Sequence, residues 1–262
     1  MDNFEFKKSL GQNFLKDENI INKIISFSSV DKETLVIEIG PGGGSLSKKL
    51  IPLAGYTILY EIDTRLRDYL NKLLVAYSNY EIIFDDFLNQ DLSSIRDKYN
   101  YKKIYVVANL PYYITTPIIT KLMNELYPDR MILMVQSEVA DRLTANYGSR
   151  NYGMITVLLG AKYDVYKVFN VSKKCFIPEP NVDSSIICFD KNDKLNSMTI
   201  TNFELFIKDA FQFKRKNLRN NLCKYDLVKL ENVLNKYGFS LKNRAEEISV
   251  ELFINIFNDY NS

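Results

Sequence analysis

The sequence predicts an α/β fold, with a doubly wound parallel sheet followed by a small all-helical domain. Three observations predict it. Short runs rich in Ile, Val and Tyr recur up to Asp190, and most are continuous rather than alternating, as in strands buried on both faces. Stretches with helical periodicity separate these runs, which indicates βαβ units. After Asp190 only helical signals follow.

The elements can be placed in order. The predicted strands are Thr34–Gly40, Thr57–Asp63, Glu81–Asp86, Ile104–Asn109, Met131–Gln136, Tyr163–Val171 and Ser184–Asp190. The helices predicted between them are Ser45–Leu53, Arg65–Leu74, Pro117–Leu126 and Val139–Ala145. Only a Pro-containing loop joins the last two strands, which predicts an antiparallel edge. We interpret Asp190–Thr201 as a polar linker, and the helices predicted after it are Asn202–Phe213, Leu218–Cys223, Tyr225–Tyr237 and Ser249–Tyr260. The predicted domains are therefore 1–190 and 191–262.

The composition excludes several kinds of chemistry. The 262 residues include no histidine, so a Ser-His-Asp triad, a Cys-His dyad and an imidazole proton shuttle are all impossible. The three cysteines, Cys175, Cys188 and Cys223, lie far apart, and we expect no metal site. A net charge of +2 excludes a highly basic nucleic-acid-binding tail but not a local basic patch.

The sequence also bears on location. Unclustered cysteines fit the reducing cytosol better than a disulfide scaffold. The polar start, Met1 to Leu10, lacks the apolar core of a signal peptide, and no apolar run approaches the ~20 residues of a membrane helix. We therefore expect a cytoplasmic protein with no membrane association. Since no further apolar face stands out, we expect a monomer.

A glycine-rich loop, Glu38 to Gly44, closes the first predicted strand and opens a helix. Glycines such as Gly40 and Gly42 permit tight turns and a close approach of a ligand to the backbone. Glu61 ends the next strand, where a carboxylate can accept hydrogen bonds from both hydroxyls of a ribose. The pattern predicts an adenosine-containing cofactor, either NAD or S-adenosylmethionine. The structural alternative is a glycine-rich turn beside a surface glutamate.

Asp86 follows the third predicted strand, where its carboxylate can accept from the amino group of an adenine, with Phe87 near the ring. The structural alternative for Asp86 is a helix N-cap or a solvated turn.

Asn109-Leu110-Pro111-Tyr112 ends the fourth predicted strand. The exocyclic amine of a nucleobase is a poor nucleophile, because its lone pair is delocalised into the ring. Two acceptors, the amide oxygen of Asn109 and the backbone carbonyl of Leu110, can localise that lone pair. Pro111 stiffens the turn, and Tyr112 offers a face on which the base can stack. These residues predict an adenine-N6 methyltransferase, and a buried Asn-Pro turn is the structural alternative.

Together these motifs resemble those of the ribosomal RNA adenine N6-dimethyltransferases of the KsgA/Dim type, over nearly the whole chain. The resemblance implies a Rossmann-like class I S-adenosylmethionine-dependent methyltransferase sheet and S-adenosylmethionine as the cofactor. It further implies that Phe176 is a second aromatic wall around the target adenine. The cofactor contacts that it implies include Gln12, Asn13, the Leu15 backbone and Asn109, with Ile62 against the adenine. The matching motifs are Gly11-Gln12-Asn13-Phe14-Leu15, Glu38-Ile39-Gly40-Pro41-Gly42, Tyr60-Glu61-Ile62-Asp63, Asp86, Asn109-Leu110-Pro111-Tyr112, Gln136–Leu143, Gly148–Gly153, Phe176–Ser184 and Arg244–Ser249. Tyr113 departs from the family pattern, which commonly has Asn there, and Asp85 and Phe87 replace its usual Gly and Ala.

A basic run lies in the predicted helical domain, with no acid between Ala210 and Tyr225. Its apolar residues Phe211, Leu218 and Leu222 are predicted to share one helical face. A solvated helix face is the structural alternative, but with the resemblance we favour contacts with RNA phosphates. The expected RNA-binding residues are Lys214, Arg215, Lys216, Arg219 and Lys224, to which Lys7, Lys8 and Lys16 could add.

The resemblance implies dimethylation of N6 of two adjacent adenosines near the 3′ end of 16S rRNA, with the small ribosomal subunit as partner. Three alternatives remain open. The related Erm enzymes methylate 23S rRNA and confer antibiotic resistance, but they generally lack the Glu-Val-Ala-Asp-Arg-Leu stretch. A ribosome-assembly factor would act mainly by binding, and an NAD-dependent oxidoreductase would share the glycine loop and the acid.

Overall fold

The computed structural model describes residues 11–192, 194–195 and 197–262, with the backbone alone for 197–199. Its contacts divide the chain into two compact units. The sheet unit extends to Ala140 and includes Tyr166–Asp190. The helical unit consists of Asp141–Val165 and Lys191–Ser262. Lys7 and Lys8, which were expected to add to an RNA surface, lie outside the described residues.

One seven-stranded sheet dominates the sheet unit, in the order β4-β3-β2-β5-β6-β9-β7. The strands β2 to β6 pair in parallel, whereas β9 pairs antiparallel with β6. A separate antiparallel pair joins β1 to β8. The strands are β1 (Phe14–Leu15), β2 (Thr34–Ile39), β3 (Tyr56–Tyr60), β4 (Tyr80–Ile83), β5 (Lys103–Asn109), β6 (Arg130–Gln136), β7 (Tyr163–Val171), β8 (Phe176–Ile177) and β9 (Ser184–Lys191). The predicted fold class is confirmed, including its antiparallel edge.

Helices occupy most of the intervals between strands. They are α1 (Glu18–Ser28), α2 (Ser47–Leu50), α3 (Arg67–Leu74), α4 (Ile95–Tyr99), α5 (Thr115–Lys121), α6 (Ser137–Leu143), α7 (Met154–Lys162), α8 (Ser197–Ala210), α9 (Leu218–Asn221), α10 (Leu227–Lys236) and α11 (Val250–Asn261). None of them, within the part of the chain that the structure describes, is long and apolar enough to cross a membrane.

The strand β2 is buried along its whole length, which explains why its sequence is apolar apart from Thr34 at its start and Glu38. On one face of the sheet, Val36 of β2 belongs to the same hydrophobic core as Ile21 and Ile24 of α1. The sequence analysis did not predict α1, although its signals are present. Asp17 caps the helix by accepting hydrogen bonds from the backbone of Asn19 and Ile20.

The core of the helical unit is built from α7 to α11, with aromatic rings at its centre. Phe203 and Phe206 of α8 contact Phe257 of α11, with ring centroids 5.4 and 5.7 Å apart. Tyr152, just before α7, is buried with them and donates a hydrogen bond to the carbonyl of Ile248 at 2.9 Å.

The segment 141–165 falls in the helical unit, whereas the predicted boundary at 190 would place it with the sheet. Its helix α7 was not predicted, because its apolar run has no clear polar face. Val157 and Ala161 of this helix are buried in the helical core. Gly160 lets the helix approach Val250 closely, since a Cβ at this glycine would lie 2.9 Å from a methyl group of Val250.

Two local predictions were wrong. The strand β9 continues to Lys191 and α8 already begins at Ser197, so most of the proposed linker Asp190–Thr201 belongs to these two elements. The face shared by Phe211, Leu218 and Leu222 does not lie on one helix, because the chain turns between α8 and α9. A new helix, α9, begins after this turn. Its N-cap is Asn217, whose side chain accepts a hydrogen bond from the backbone N–H of Asn220.

Candidate active site

A cavity of about 700 Å³, including its open mouth, lies at the carboxyl ends of the parallel strands in the sheet unit. This is the edge at which open α/β sheets bind ligands. The N-terminal segment, the glycine loop after β2, the end of β3 and the turn after β5 all contribute to it. Of the residues predicted for the site, those that line it are Gln12, Asn13, Leu15, Gly40, Gly42, Glu61, Ile62, Asn109, Leu110, Pro111 and Tyr112.

The glycine loop depends on backbone conformations that favour glycine. Gly40 and Gly42 have φ of 69° and 51°. A Cβ at Gly42 would also lie only 2.6 Å from the ring of Phe14. The close approach of the N-terminal segment to the loop therefore requires a glycine at this position.

Glu61 is 4% exposed and holds the glycine loop to the end of β3. One carboxylate oxygen accepts from the backbone N–H of Gly42 at 3.0 Å, and the other accepts from that of Asp63 at 2.8 Å. Burial raises the pKa of this carboxyl above its usual value. Because each carboxylate oxygen can accept more than one hydrogen bond, both retain acceptor capacity for a ligand's hydroxyl groups.

A second buried carboxyl, Glu38, also lines the cavity and was given no role by the sequence analysis. Its side chain accepts a hydrogen bond from the Ser47 hydroxyl at 2.6 Å. Burial is the largest cause that raises its pKa to about 8, and the nearby charge of Glu61 adds to the increase. The signal in the sequence was a single charged residue within an otherwise apolar strand. Ser45, Leu46 and Phe14 line the cavity as well.

The segment Gly11–Leu15 is tied across the mouth of the cavity. The Gln12 amide donates to Asp63 at 2.7 Å, and the Ser45 hydroxyl donates to the carbonyl of Leu15 at 2.9 Å. Asp63 also accepts from Arg65, and these hydrogen bonds lower its pKa to about 2. Gln12 and the Leu15 carbonyl thus already have partners within the protein.

Asn109 connects this segment to the end of β5. Its amide nitrogen donates to the backbone carbonyl of Asn13 at 2.9 Å. A carbonyl can only accept a hydrogen bond, so the amide group must turn its NH2 toward Asn13. The Asn109 amide oxygen is then the acceptor that remains for a ligand.

The turn after Asn109 presents an aromatic ring. Pro111 has φ of −60° and leads into a short 3-10 turn, Tyr112–Ile114, that continues into α5. The Tyr112 hydroxyl lies 2.6 Å from the hydroxyl of Ser184, which is fully buried at the start of β9. Burial is the largest cause that raises the Tyr112 pKa.

Three predicted residues do not line this cavity. Asp86 caps the 3-10 turn Phe87–Asn89 by accepting from the backbone of Leu88, which was the structural alternative for it. Phe87 is 4% exposed and packs edge-on against Tyr60, with centroids 5.1 Å apart. Phe176 is 1% exposed, lies opposite Leu15 in the β1–β8 pair and belongs to the core. Their roles toward a cofactor or a base stay predictions.

The predicted RNA-binding residues lie in the helical unit and are all exposed: Lys214, Arg215, Lys216, Arg219 and Lys224. Lys224 differs from the others in pairing with Asp209 at 2.8 Å. This acid lies just before the basic run and was not considered in the sequence analysis. Among the described residues no group of three or more Cys, Asp or Glu side chains is placed to hold a metal ion.

Comparison with known proteins decides the family. The sequence profile of the family described as ribosomal RNA adenine dimethylase matches residues 3–262. The chain belongs to this family. Two curated relatives are each named ribosomal RNA small subunit methyltransferase A. The protein from Mycoplasma mobile is 38% identical over 98% of both chains, and that from Oceanobacillus iheyensis is 37% identical over 98% of this chain and 91% of its own.

Solved structures agree with this family membership. A dimethyladenosine transferase from Plasmodium falciparum matches with a TM-score of 0.79 and 26% identity, over 95% of this chain and 97% of its own. The 23S rRNA methyltransferase ErmE also has a TM-score of 0.79, over 95% of this chain and all of its own, but at 24% identity it shows the fold alone.

As a ribosomal RNA adenine dimethylase, the protein is an enzyme that dimethylates adenine N6, and its cofactor is S-adenosylmethionine. The cavity fits this cofactor. Glu61 directly follows β3, where its carboxylate can accept from ribose hydroxyls, and Gly40 and Gly42 allow a ligand to approach the backbone closely. The family thus decides between the two cofactors that the glycine loop left open, and the prediction of S-adenosylmethionine is confirmed.

Proposed function

We propose that this enzyme dimethylates N6 of two adjacent adenosines near the 3′ end of 16S rRNA during maturation of the small ribosomal subunit. The names of full-length relatives, small subunit methyltransferases that are 37–38% identical, support this choice of RNA. The observation that carries the chemistry is the orientation of Asn109, because its amide is turned by the Asn13 carbonyl and leaves an oxygen acceptor in the cavity.

In the proposed mechanism the protein localises the lone pair of the target amine. The Asn109 amide oxygen and the Leu110 carbonyl accept the two N6–H groups, which reduces delocalisation of the lone pair into the adenine ring. Tyr112 stacks on the base, and its hydrogen bond to Ser184 holds the ring in place. S-adenosylmethionine supplies a methyl group that is already activated by its sulfonium. Catalysis therefore rests on positioning and electrostatics, and a histidine base is not needed.

The protons lost from N6 need an acceptor. One proton leaves for each methyl group that is gained, and the amine becomes acidic only as its bond to the methyl carbon forms. Water at the open mouth of the cavity can then accept the proton.

Glu61 and Gly42 would hold the cofactor. Ile62, which is 42% exposed, would offer an apolar surface to its adenine. We assign Asp86, Phe87 and Phe176 to the same site only as secondary candidates, since they do not line it here.

Binding of the RNA is assigned to the exposed cations of the helical unit, with Lys224 contributing less because Asp209 partly neutralises it. A target base must leave its stack to reach the cavity, which favours a single-stranded loop as substrate.

We further propose that the enzyme acts in the cytoplasm as a monomer. Sedimentation at micromolar concentration tests the oligomeric state.

The assay uses labelled S-adenosylmethionine with undermethylated small subunits, followed by nucleoside analysis. We expect N6,N6-dimethyladenosine in 16S rRNA. Product on naked 23S rRNA alone would favour the Erm-type activity instead. Tight binding to small subunits without any product would indicate an assembly factor that acts mainly by binding.

The mechanism predicts that Asn109→Ala reduces turnover by at least about a hundredfold, because an acceptor for the amine is lost. Cofactor affinity should stay within about fivefold, since Glu61 and the glycine loop are unchanged. Calorimetry with S-adenosylhomocysteine and single-turnover methylation measure the two effects. Asn71→Ala is the matched control, because Asn71 is exposed on α3. Unchanged turnover in Asn109→Ala would refute the assigned role.

A further inference from the structure

The helical unit contains a cleft that is separate from the residues of the methyl-transfer motifs. It has a volume of about 660 Å³ including its open mouth. The segment 151–155, which leads into the first turn of α7, forms one side, and the turn after α8 forms the other. Its floor is apolar, with the rings of Tyr152 and Phe211 in edge-on contact at 6.2 Å.

A rigid turn presents an aromatic ring at the rim of this cleft. Phe213 is 55% exposed, although its turn is held firmly by Asn221, which is only 5% exposed. The Asn221 amide nitrogen donates to the carbonyls of Ala210 and Phe213 at 2.7 and 3.3 Å, and its oxygen accepts from the backbone of Phe213 at 3.2 Å. The backbone that carries the exposed ring is thus held in place by a buried amide.

Charged side chains line the same cleft as the Phe213 ring. Arg142, Lys214 and Lys216 line the cleft, and so does one acid, Glu246. Lys214 reaches the carbonyl of Arg150 at 3.4 Å and so spans one end of the cleft. Three cations against one carboxylate make the rim positive, which suits an anionic ligand.

A nucleotide carries the three kinds of group that this cleft can bind. Its phosphate pairs with lysine or arginine, its base stacks on an aromatic face, and the amino group of a base can donate to a carboxylate. An acidic peptide matches less well, because it has no flat ring for Phe213 and would be repelled by Glu246. We propose that the cleft binds one unstacked nucleotide of the ribosomal RNA that is not itself methylated. Its base lies on Phe213, and its phosphates contact Lys214 and Lys216. This inference rests on the proposed function only in taking ribosomal RNA as the partner.

The first test measures base stacking on the full-length protein. The probes are a fluorescent single-stranded adenosine decamer and the same ribose-phosphate chain without bases. We expect the wild type to bind the decamer more tightly, and Phe213→Ala to lose about tenfold in affinity for the decamer alone. Phe213→Tyr should restore binding, since the ring is kept. Leu205→Ala, which removes another exposed apolar side chain of the helical unit, should behave as the wild type.

The second test uses undermethylated small subunits. Phe213→Ala should weaken binding with an unchanged salt dependence, whereas Lys216→Ala should lower the slope of log K against log salt by about one. Equal decamer binding by wild type and Phe213→Ala would overturn the inference. Weaker binding to subunits with no change toward the decamer would overturn it in favour of a ribosomal protein as the occupant.

Failure of this inference differs from failure of the proposed function. If the wild type methylates 16S rRNA while Phe213→Ala binds both probes normally, only the cleft assignment is refuted. S-adenosylhomocysteine affinity, measured for every variant, should not change. That result shows that each variant retains its cofactor site, and an unchanged melting curve shows that its helical unit is folded.

Discussion

At the scale of single residues, the tetrapeptide Asn109 to Tyr112, to which we assign catalysis, depends on partners far away in the sequence. Asn109 is oriented by Asn13, and Tyr112 is held by Ser184. Neither partner is adjacent to the tetrapeptide in the chain. Ser184 touches neither the cofactor nor the base in the proposed mechanism, so we regard it as a positioning residue for the Tyr112 ring.

Ser184→Ala should lower the single-turnover methylation rate by about twofold to tenfold, since one hydrogen bond in a buried setting is lost. Tyr112→Phe removes the same bond from the other side and keeps the ring. The two substitutions should therefore be non-additive in the double variant. Ser185→Ala is the matched control, because Ser185 is also fully buried but hydrogen-bonds Ser137 and Asn170 instead. Additive losses in the rate would contradict the positioning role.

At the scale of elements, β2 shows how a site is built into a core strand. The strand is buried throughout, yet it includes Glu38 at the edge of the cavity. The carboxyl has a pKa of about 8 in the folded protein, against a usual value of 4.5. Between these two values the folded chain retains a proton that the unfolded chain has lost. Stability must therefore fall as the pH rises through this window and level off above pH 8.

Glu38→Gln should remove most of this decrease, because an amide has no charge to bury. The free energy of unfolding from urea titrations at pH 5 to 9 should fall less steeply for the variant than for the wild type. A smaller slope should persist, since burial also raises the pKa of Glu61. Glu138→Gln, at an exposed position, controls for the loss of a surface carboxylate. Parallel curves for wild type and Glu38→Gln would show that Glu38 is ionised in the folded state.

The strands and most helices were predictable from periodicity, because burial on both faces imposes continuous apolar runs. The elements that were not predicted were missed for local reasons. In α7 the apolar residues are not confined to one face, so no helical periodicity marks it. The residues 197–201 lie in the stretch that was predicted as a linker and gave no signal of the first turn of α8. The turn after α8 was missed because apolar residues on both sides of it, the partly buried Phe211 and the buried Leu218, pack against the same core.

At the scale of the whole molecule, the cofactor and the RNA are assigned to separate compact units. The residues that line the proposed cofactor cavity belong to the sheet unit. Cofactor binding should therefore stabilise the sheet unit more than the helical unit. A ligand present at a hundredfold excess over its Kd adds about 2.7 kcal/mol to the stability of the state that binds it.

S-adenosylhomocysteine should therefore raise the melting temperature by several degrees, whereas NAD should not. If calorimetry resolves two transitions, only one should shift with the ligand, and Gly42→Ala should abolish that shift because its Cβ would clash with Phe14. Equal shifts with both ligands would contradict the cofactor assignment.

The sequence by itself determined the fold class, an adenosine-containing cofactor and the motif that we expect to bind the target amine. Each is encoded locally: strands in apolar runs, the loop in glycines, and the amine-binding turn in Asn109 to Tyr112. Only the tertiary structure decided which side chains meet. It placed Glu38 in the cavity, turned the amide of Asn109 and moved Phe176 into the core. These outcomes depend on contacts between residues far apart in the chain, which no local pattern specifies.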